Sequence, residues 1–225
     1  FETQALAVET AGGKVKAVQT NRGRIECDAV VICTGAWASQ LAATAGVELP
    51  VAPQRRQIVW ARSRNALPEN LPMVIDIGSG FHFRPARDFL DPTANADRRE
   101  VLFAYPDPDE GESFATSFDE SFIEKVYERA RHRSTVLFET SVVREKCRAG
   151  LYENTPDHHA ILGGCETAGL YFACGFSGHG VMHSPATGRA LAEIILGGEA
   201  SFLDVSCLRL ERFAKGELLH ETAFI

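Results

Sequence analysis

Apolar and polar residues alternate in short runs at the start of the chain, with turn-forming residues between them. Ala5–Val8, Val15–Gln19, Arg24–Cys27 and Ala29–Cys33 read as strands, separated by Gly12-Gly13 and Asn21-Arg22-Gly23. Gly and Asn between β-rich runs predict hairpins. The last run, Ala29-Val30-Val31-Ile32-Cys33, is apolar at every position and predicts a strand covered on both faces, as in a parallel sheet. Thr34-Gly35 ends it, Ala36–Ala45 has helical composition, and Gly46 stands where a helix-ending glycine belongs.

From Val51 the texture changes. Pro50, Pro53, Pro68, Pro72 and Pro85 punctuate alternating segments at Gln57–Ala61, Met73–Ile77 and Phe81–Arg84, and Val101–Tyr105 follows as a further strand. Together they predict a second, mostly antiparallel layer. The stretch Asp88–Glu100 has no apolar periodicity and reads as a surface loop. Phe118, Phe122, Val126 and Ala130 recur at helical spacing with charges opposite, so Phe118–Arg133 predicts an amphipathic helix packed on the sheet. In the last third, Asn154-Thr155-Pro156-Asp157 is a turn and Ala160–Leu162 a strand running into Gly163-Gly164. Leu170–Cys174 is an apolar strand, Gly175–Gly180 a glycine-rich loop and Val181–Leu196 a helix stopped by Gly197-Gly198.

Composition narrows the class. With 225 residues, 45% hydrophobic and 24% charged, the chain can bury a core without disulfide or metal staples. Its six cysteines, at 27, 33, 147, 165, 174 and 207, show no metal-type spacing, which favours reduced thiols in a cytoplasmic compartment. A formal charge of −7 argues against a nucleic-acid partner. No run approaches the roughly 18 apolar residues of a membrane span.

The densest chemistry lies in Gly175-Phe176-Ser177-Gly178-His179-Gly180, between a strand and a helix. Such a loop brings backbone N–H groups close to a ligand, and the helix start adds partial positive charge, which suits an anion or an electron-rich ring. Thr34-Gly35-Ala36-Trp37 forms a second junction of this kind. Two such junctions in one sheet would converge at its carboxyl edge, where ligands of α/β sheets bind. Three other constellations compete there. Ser177 resembles the nucleophile of a hydrolase elbow, but His179 stands where the second glycine belongs. His179 and His183 have the spacing of a zinc pair without the glutamate, so no metal is expected. Asp157-His158-His159 offers acid–base groups, although a solvated turn explains them equally.

Four segments in order carry a family resemblance: Asp28–Trp37, Pro53-Gln54-Arg55-Arg56-Gln57, Leu151–Gly163 and Gly175–Gly180. Their order and separation resemble the FAD-dependent amine and amino-acid oxidoreductases of the D-amino-acid oxidase superfamily, nearest to the sarcosine oxidase, glycine oxidase and L-proline dehydrogenase β-subunit branch. The resemblance implies that Thr34, Gly35, Ala36 and Trp37 line FAD. It places Gly175, Phe176, Ser177, Gly178, His179, Gly180, Val181 and Met182 along the flavin ring, and implies hydride transfer from a substrate carbon to flavin N5. A secondary or N-methylated amino acid is the substrate class, with an electron acceptor, a partner subunit or an oligomer as further partners. These enzymes open with a G-x-G-x-x-G turn, which does not occur in the 225 residues. The chain therefore reads as a C-terminal portion, expected to be inactive alone.

Departures from the family pattern refine this. Gly150 aligns with the cysteine that binds flavin covalently in sarcosine oxidase, so non-covalent FAD is expected. Met182 replaces a carboxylate-binding lysine, which leaves Arg84 and Arg56 as candidates for the substrate carboxylate, with His179 on the substrate side. The strand Val101–Tyr105 has no lysine to activate oxygen, which favours a dehydrogenase. The expected fold class is α+β: an incomplete α/β-type FAD-binding layer from residues 1–49 and 150–225, and an antiparallel β-rich substrate domain with a covering helix from 50–149. The alternative is a non-catalytic assembly or binding subunit in which the glycine loops survive as architecture.

Overall fold

The computed structural model describes residues 1–86, 98–134, 137 and 139–220. Most of the loop expected at Asp88–Glu100 thus lies outside the described residues. The fold is mixed α and β and divides into two compact units, Phe1–Gln54 with Tyr152–Glu221 and Arg55–Leu151.

The first unit opens with a meander of β1 (Ala5–Ala11), β2 (Lys14–Thr20) and β3 (Gly23–Glu26), paired antiparallel in chain order. A second sheet has the order β11 (Ile161–Gly164), β12 (Leu170–Cys174), β4 (Val30–Ile32). Here β11 and β12 are antiparallel, while β12 and β4 are parallel with Leu170 opposite Val30 and Phe172 opposite Ile32. The parallel partner expected for β4 is therefore present, but cover on both faces is not: Ile32 is buried and Val31 exposed. Gly163 and Gly164, read as a turn, continue β11. Val8, Val15, Ile32, Leu49, Ile161 and Phe172 form part of one core cluster; Leu162 and Ala173 pack with Ala190 and Leu191 of α3 (Gly180–Gly197) in another. Pro185 removes an N–H inside α3, and the Ser184 hydroxyl donates to the Val181 carbonyl that would have accepted it (2.9 Å).

The helix expected over Ala36–Ala45 is shorter, a 3-10 turn at Gly35–Trp37 followed by α1 (Ala38–Ala43). Thr44 ends it: its hydroxyl donates to the Leu41 carbonyl at 2.6 Å and accepts the Val8 N–H at 2.9 Å.

In the second unit β5 (Ala52–Ser63), β8 (Glu100–Ala104), β7 (His82–Pro85) and β6 (Val74–Ile75) lie side by side. The three pairings among them are antiparallel. Also on β5 are β9 (Thr140–Val142) and β10 (Arg148–Asn154). Strand β6 stops short of Ile77 because the Asp76 carboxylate accepts the Gly78 N–H and the Ser79 hydroxyl, turning the chain. Helix α2 (Ser121–Arg133) buries Phe122, Val126 and Ala130, the expected face, against Val59, Phe81, Val101 and Phe103. It begins later than Phe118 because Asp119 is committed elsewhere. The Asp119 N–H donates to Gln57 Oε1 (2.7 Å), and its carboxylate accepts the Ser121 N–H (2.9 Å).

A buried ion pair ties the end of the first unit to its centre. Arg212, from the short helix α4 (Glu211–Lys215), donates to both Asp157 oxygens at 2.8 and 2.9 Å; each side chain is 1% exposed. Its remaining N–H groups reach the carbonyls of Leu208, Arg209 and His159. Asp157 also accepts the N–H groups of His159 and Leu219 and the Thr155 hydroxyl. Burial raises the Asp157 pKa, but the Arg212 guanidinium and these N–H groups outweigh it and hold the carboxyl well below its ordinary value.

Replacing Arg212 by Leu strands the Asp157 charge and should cost about 3–5 kcal/mol at pH 7, read by urea unfolding. In the parent, the depressed pKa contributes stability above the unfolded carboxyl value of about 3.9, lost as pH falls toward the folded value. In the variant, unpaired burial reverses the sign, so its deficit against the parent should shrink between pH 7 and 5.

Candidate functional site

Because β4 and β12 are adjacent and parallel, their carboxyl ends lie side by side, and each runs directly into a glycine junction. After β4, Thr34 and Gly35 lead into the 3-10 turn, with the Trp37 N–H donating to the Thr34 carbonyl at 3.1 Å. After β12, the chain runs through Gly175-Phe176-Ser177-Gly178-His179 into α3. This is the convergence expected from the sequence.

The second loop is shaped by what lies beneath it. Gly175 has φ +73°, and a Cβ there would stand 2.4 Å from Thr155 Cγ2. Gly178 has φ +98°, and a Cβ there would stand 2.4 Å from the Tyr152 ring. Ser177 takes a left-handed φ of 50°, is buried, and donates its hydroxyl to the Gly175 carbonyl at 3.3 Å. That placement suits a structural hydroxyl, unlike the exposed oxygen of a hydrolase elbow. The His179 N–H donates to the Phe176 carbonyl at 3.0 Å, and its ring stacks on His183 with centroids 6.1 Å apart. No cluster of three or more metal-binding side chains occurs among the described residues. The acid–base reading of the Asp157 turn is also consumed by structure: Arg212 holds the carboxylate, and His159 Nδ1 lies 2.7 Å from the Asp157 carbonyl.

Glu153 sits between the two junctions, a position to which sequence reasoning gave no role. Its carbonyl accepts the Ser177 N–H at 3.1 Å and its Oε1 accepts the Phe176 N–H at 3.4 Å. Its Oε2 is buried with no hydrogen-bond partner among the described residues and lies 3.6 Å from where a Cβ on Gly35 would be. Burial raises its pKa, an effect only partly offset by the Gly175 and Phe176 N–H groups. Tyr152, whose ring floors the loop, was likewise unread. The only sequence signal for either was their place in Leu151–Asn154, just before the Thr-Pro-Asp turn.

Around the junctions stand apolar side chains in water: Val181 at 92%, Met182 at 70% and Trp37 at 51% exposure. Of the remaining candidates, Gly150 is exposed on β10 with open space beside it, and belongs to the second unit. Arg56 on β5 and Arg84 on β7 also belong to the second unit, both half-buried. The Arg84 Nη1 reaches the neighbouring Pro85 carbonyl at 3.4 Å.

Two glycine turns on adjacent parallel strands, the start of an 18-residue helix and exposed apolar side chains beside them form an edge of the kind at which α/β sheets bind ligands. The chain belongs to the FAD-dependent oxidoreductase family of D-amino-acid oxidase type, whose profile matches residues 1–194 and whose cofactor is FAD. It is 35% identical over 211 residues to FAD-dependent oxidoreductase domain-containing protein 1 of Xenopus laevis, covering 88% of this chain and 40% of that protein. It is 28% identical over 186 residues to mitochondrial sarcosine dehydrogenase of Mus musculus, covering 82% of this chain and 20% of that one. Among solved structures, L-proline dehydrogenase from P. horikoshii superposes with a TM-score of 0.82 at 28% identity, covering 96% of this chain and 55% of its own. The chain thus spans well under two thirds of these relatives. The residues present fit the ring side of FAD: N–H groups at the α3 start, a backbone that approaches closely at Gly35, and apolar side chains whose exposure a planar ring would relieve.

Adding a methyl at Gly178 forces it against the Tyr152 ring in a strained backbone, so Gly178→Ala should lower stability by about 1–3 kcal/mol. Combined with Tyr152→Ala, the loss should fall below the sum of the two single changes, measured by thermal unfolding of all four proteins.

Proposed function

We propose that this chain forms the flavin-ring side and the substrate layer of an FAD-dependent oxidoreductase acting on the C–N bond of a secondary or N-methylated amino acid or related amine. The observation that carries it is the meeting of the Gly35 and Gly175 turns at one sheet edge, with α3 starting at the second. Bound FAD supplies the hydride acceptor, N5, for the substrate carbon, and the resulting imine is hydrolysed by water. The chain's own residues do the rest. The N–H groups at the α3 start, which the N-cap side chain does not cap, favour negative charge where the reduced ring would carry it. Arg84 and Arg56 bind the substrate carboxylate, since a planar guanidinium matches it in two places. His179, at the first turn of α3, lies on the substrate side.

Several features support the finer reading. FAD is held without a covalent bond: Gly150 offers no thiol, and burial pushes the Cys147 thiol pKa up, away from the reactive thiolate. Electrons pass to an acceptor other than oxygen, since β8 carries no lysine. Six unpaired cysteines support a reducing, cytoplasmic compartment. Without a G-x-G-x-x-G turn, residues 1–225 alone bind FAD weakly and are inactive. Met182, uncharged at a position where sarcosine oxidase has a lysine, favours one other reading, a non-catalytic assembly or binding subunit.

The whole protein should be yellow, release intact FAD on acid precipitation, and bleach under anaerobic conditions with an N-methyl or secondary amino acid. A folded, colourless protein that takes up no FAD overturns the proposal, and bound flavin without turnover across an amine panel favours the assembly subunit. Arg84→Lys should raise KM for carboxylate-bearing amines about tenfold while leaving kcat largely unchanged, as loss of one bidentate contact implies.

A further inference from the structure

We propose that Glu153 is a positioning residue for the cofactor site: a neutral acid that holds a proton beneath both glycine turns and keeps them in their binding conformations. The proposal rests on the FAD reading above and goes beyond it in naming what sets the turns.

The geometry is specific to this side chain. Its backbone carbonyl and Oε1 hold the Ser177 and Phe176 N–H groups of one turn, while Oε2 faces the other, 3.6 Å from where a Cβ on Gly35 would stand. Oε2 is buried with no hydrogen-bond partner among the described residues. An ionised carboxylate with one bare, buried oxygen is costly, whereas a neutral acid in the same place loses only one hydrogen bond. The surroundings offer the charge no counter-ion. The titratable groups that interact with it are the thiols Cys33, just after β4, and Cys174, at the end of β12, each raised by burial and then by the Glu153 charge. No cation is among the groups acting on the carboxyl, and only the N–H groups of Gly175 and Phe176 favour its charge. Once ionised, Glu153 would draw water toward Oε2, loosening the packing around the two turns.

The sign follows from linkage. A carboxyl whose pKa is raised on folding contributes stability that is complete below its unfolded value, about 4.3, and lost as pH rises through the folded value. This is opposite to Asp157.

The test uses the whole protein, its Glu153→Gln and Glu153→Leu variants, and two readouts besides turnover: FAD affinity by flavin fluorescence and thermal unfolding of the apoprotein, each from pH 5 to 8.5. The parent should lose FAD affinity as pH rises, up to about tenfold per pH unit above the folded value, and its apoprotein midpoint should fall relative to Glu153→Gln. Glu153→Gln, which keeps an acceptor and a donor, should remain at the low-pH affinity throughout. Glu153→Leu should bind weakly at every pH. Parallel pH profiles for parent and Glu153→Gln, or parent-like affinity in Glu153→Leu, overturn the proposal. If the parent takes up no FAD, the cofactor reading fails, and the apoprotein profiles still decide whether Glu153 holds its proton beneath the turns.

Discussion

The buried Arg212–Asp157 pair is the interaction on which the site depends. Asp157 orders Thr155 and His159 through its own oxygens, and Thr155 Cγ2 fills the space under Gly175. The glycine loop therefore rests on a turn that is held from behind by a guanidinium. Such a pair is expensive to desolvate, and its value is less in net stability than in allowing one arrangement: a bidentate guanidinium admits little rotation of the carboxylate it grips. Helix α4 is only five residues long, and Arg212 is its one buried side chain, so this contact anchors the helix together with Phe213, which packs partly buried against the core.

Above that anchor the site is built from backbone. Two parallel strands deliver two glycine turns to one edge, and the groups facing a ligand are N–H donors and apolar side chains rather than a nucleophile or a metal cluster. That suits chemistry in which the cofactor carries the reaction and the protein supplies binding, orientation and charge stabilisation. The two carboxyls under the site follow opposite physics. Asp157 is surrounded by donors and held ionised, whereas Glu153 has only the Gly175 and Phe176 N–H groups and a bare oxygen, and burial favours its proton. Acid weakens the first and alkali the second, so the site is best ordered between the two transitions.

Much of this was legible in the amino-acid order. The strands at 5–11, 14–20, 170–174 and the helix at 180–197 follow from period-two and helical patterns broken by glycine, signals confined to neighbouring residues. The two glycine junctions, their convergence and the family resemblance came from the same local text. Errors fell where a side chain was claimed by a distant partner. Thr44 ends α1 early because it receives the Val8 N–H, and α2 starts late because Asp119 is held by Gln57 across 62 residues.

What the sequence by itself determined, then, is the set of elements, the glycine turns and the class of cofactor chemistry, because each is written in contiguous residues. Only the tertiary structure decided that Arg212 grips Asp157 across 55 residues, that Tyr152 floors the loop at Gly178, and that the Oε2 of half-buried Glu153 is shut from water with no partner among the described residues. The physical reason is that burial and pairing are properties of where segments meet. The same glutamate would be an ordinary solvated charge on an exposed strand, and becomes a proton-holding acid only when β4 and β12 bring their ends together over it.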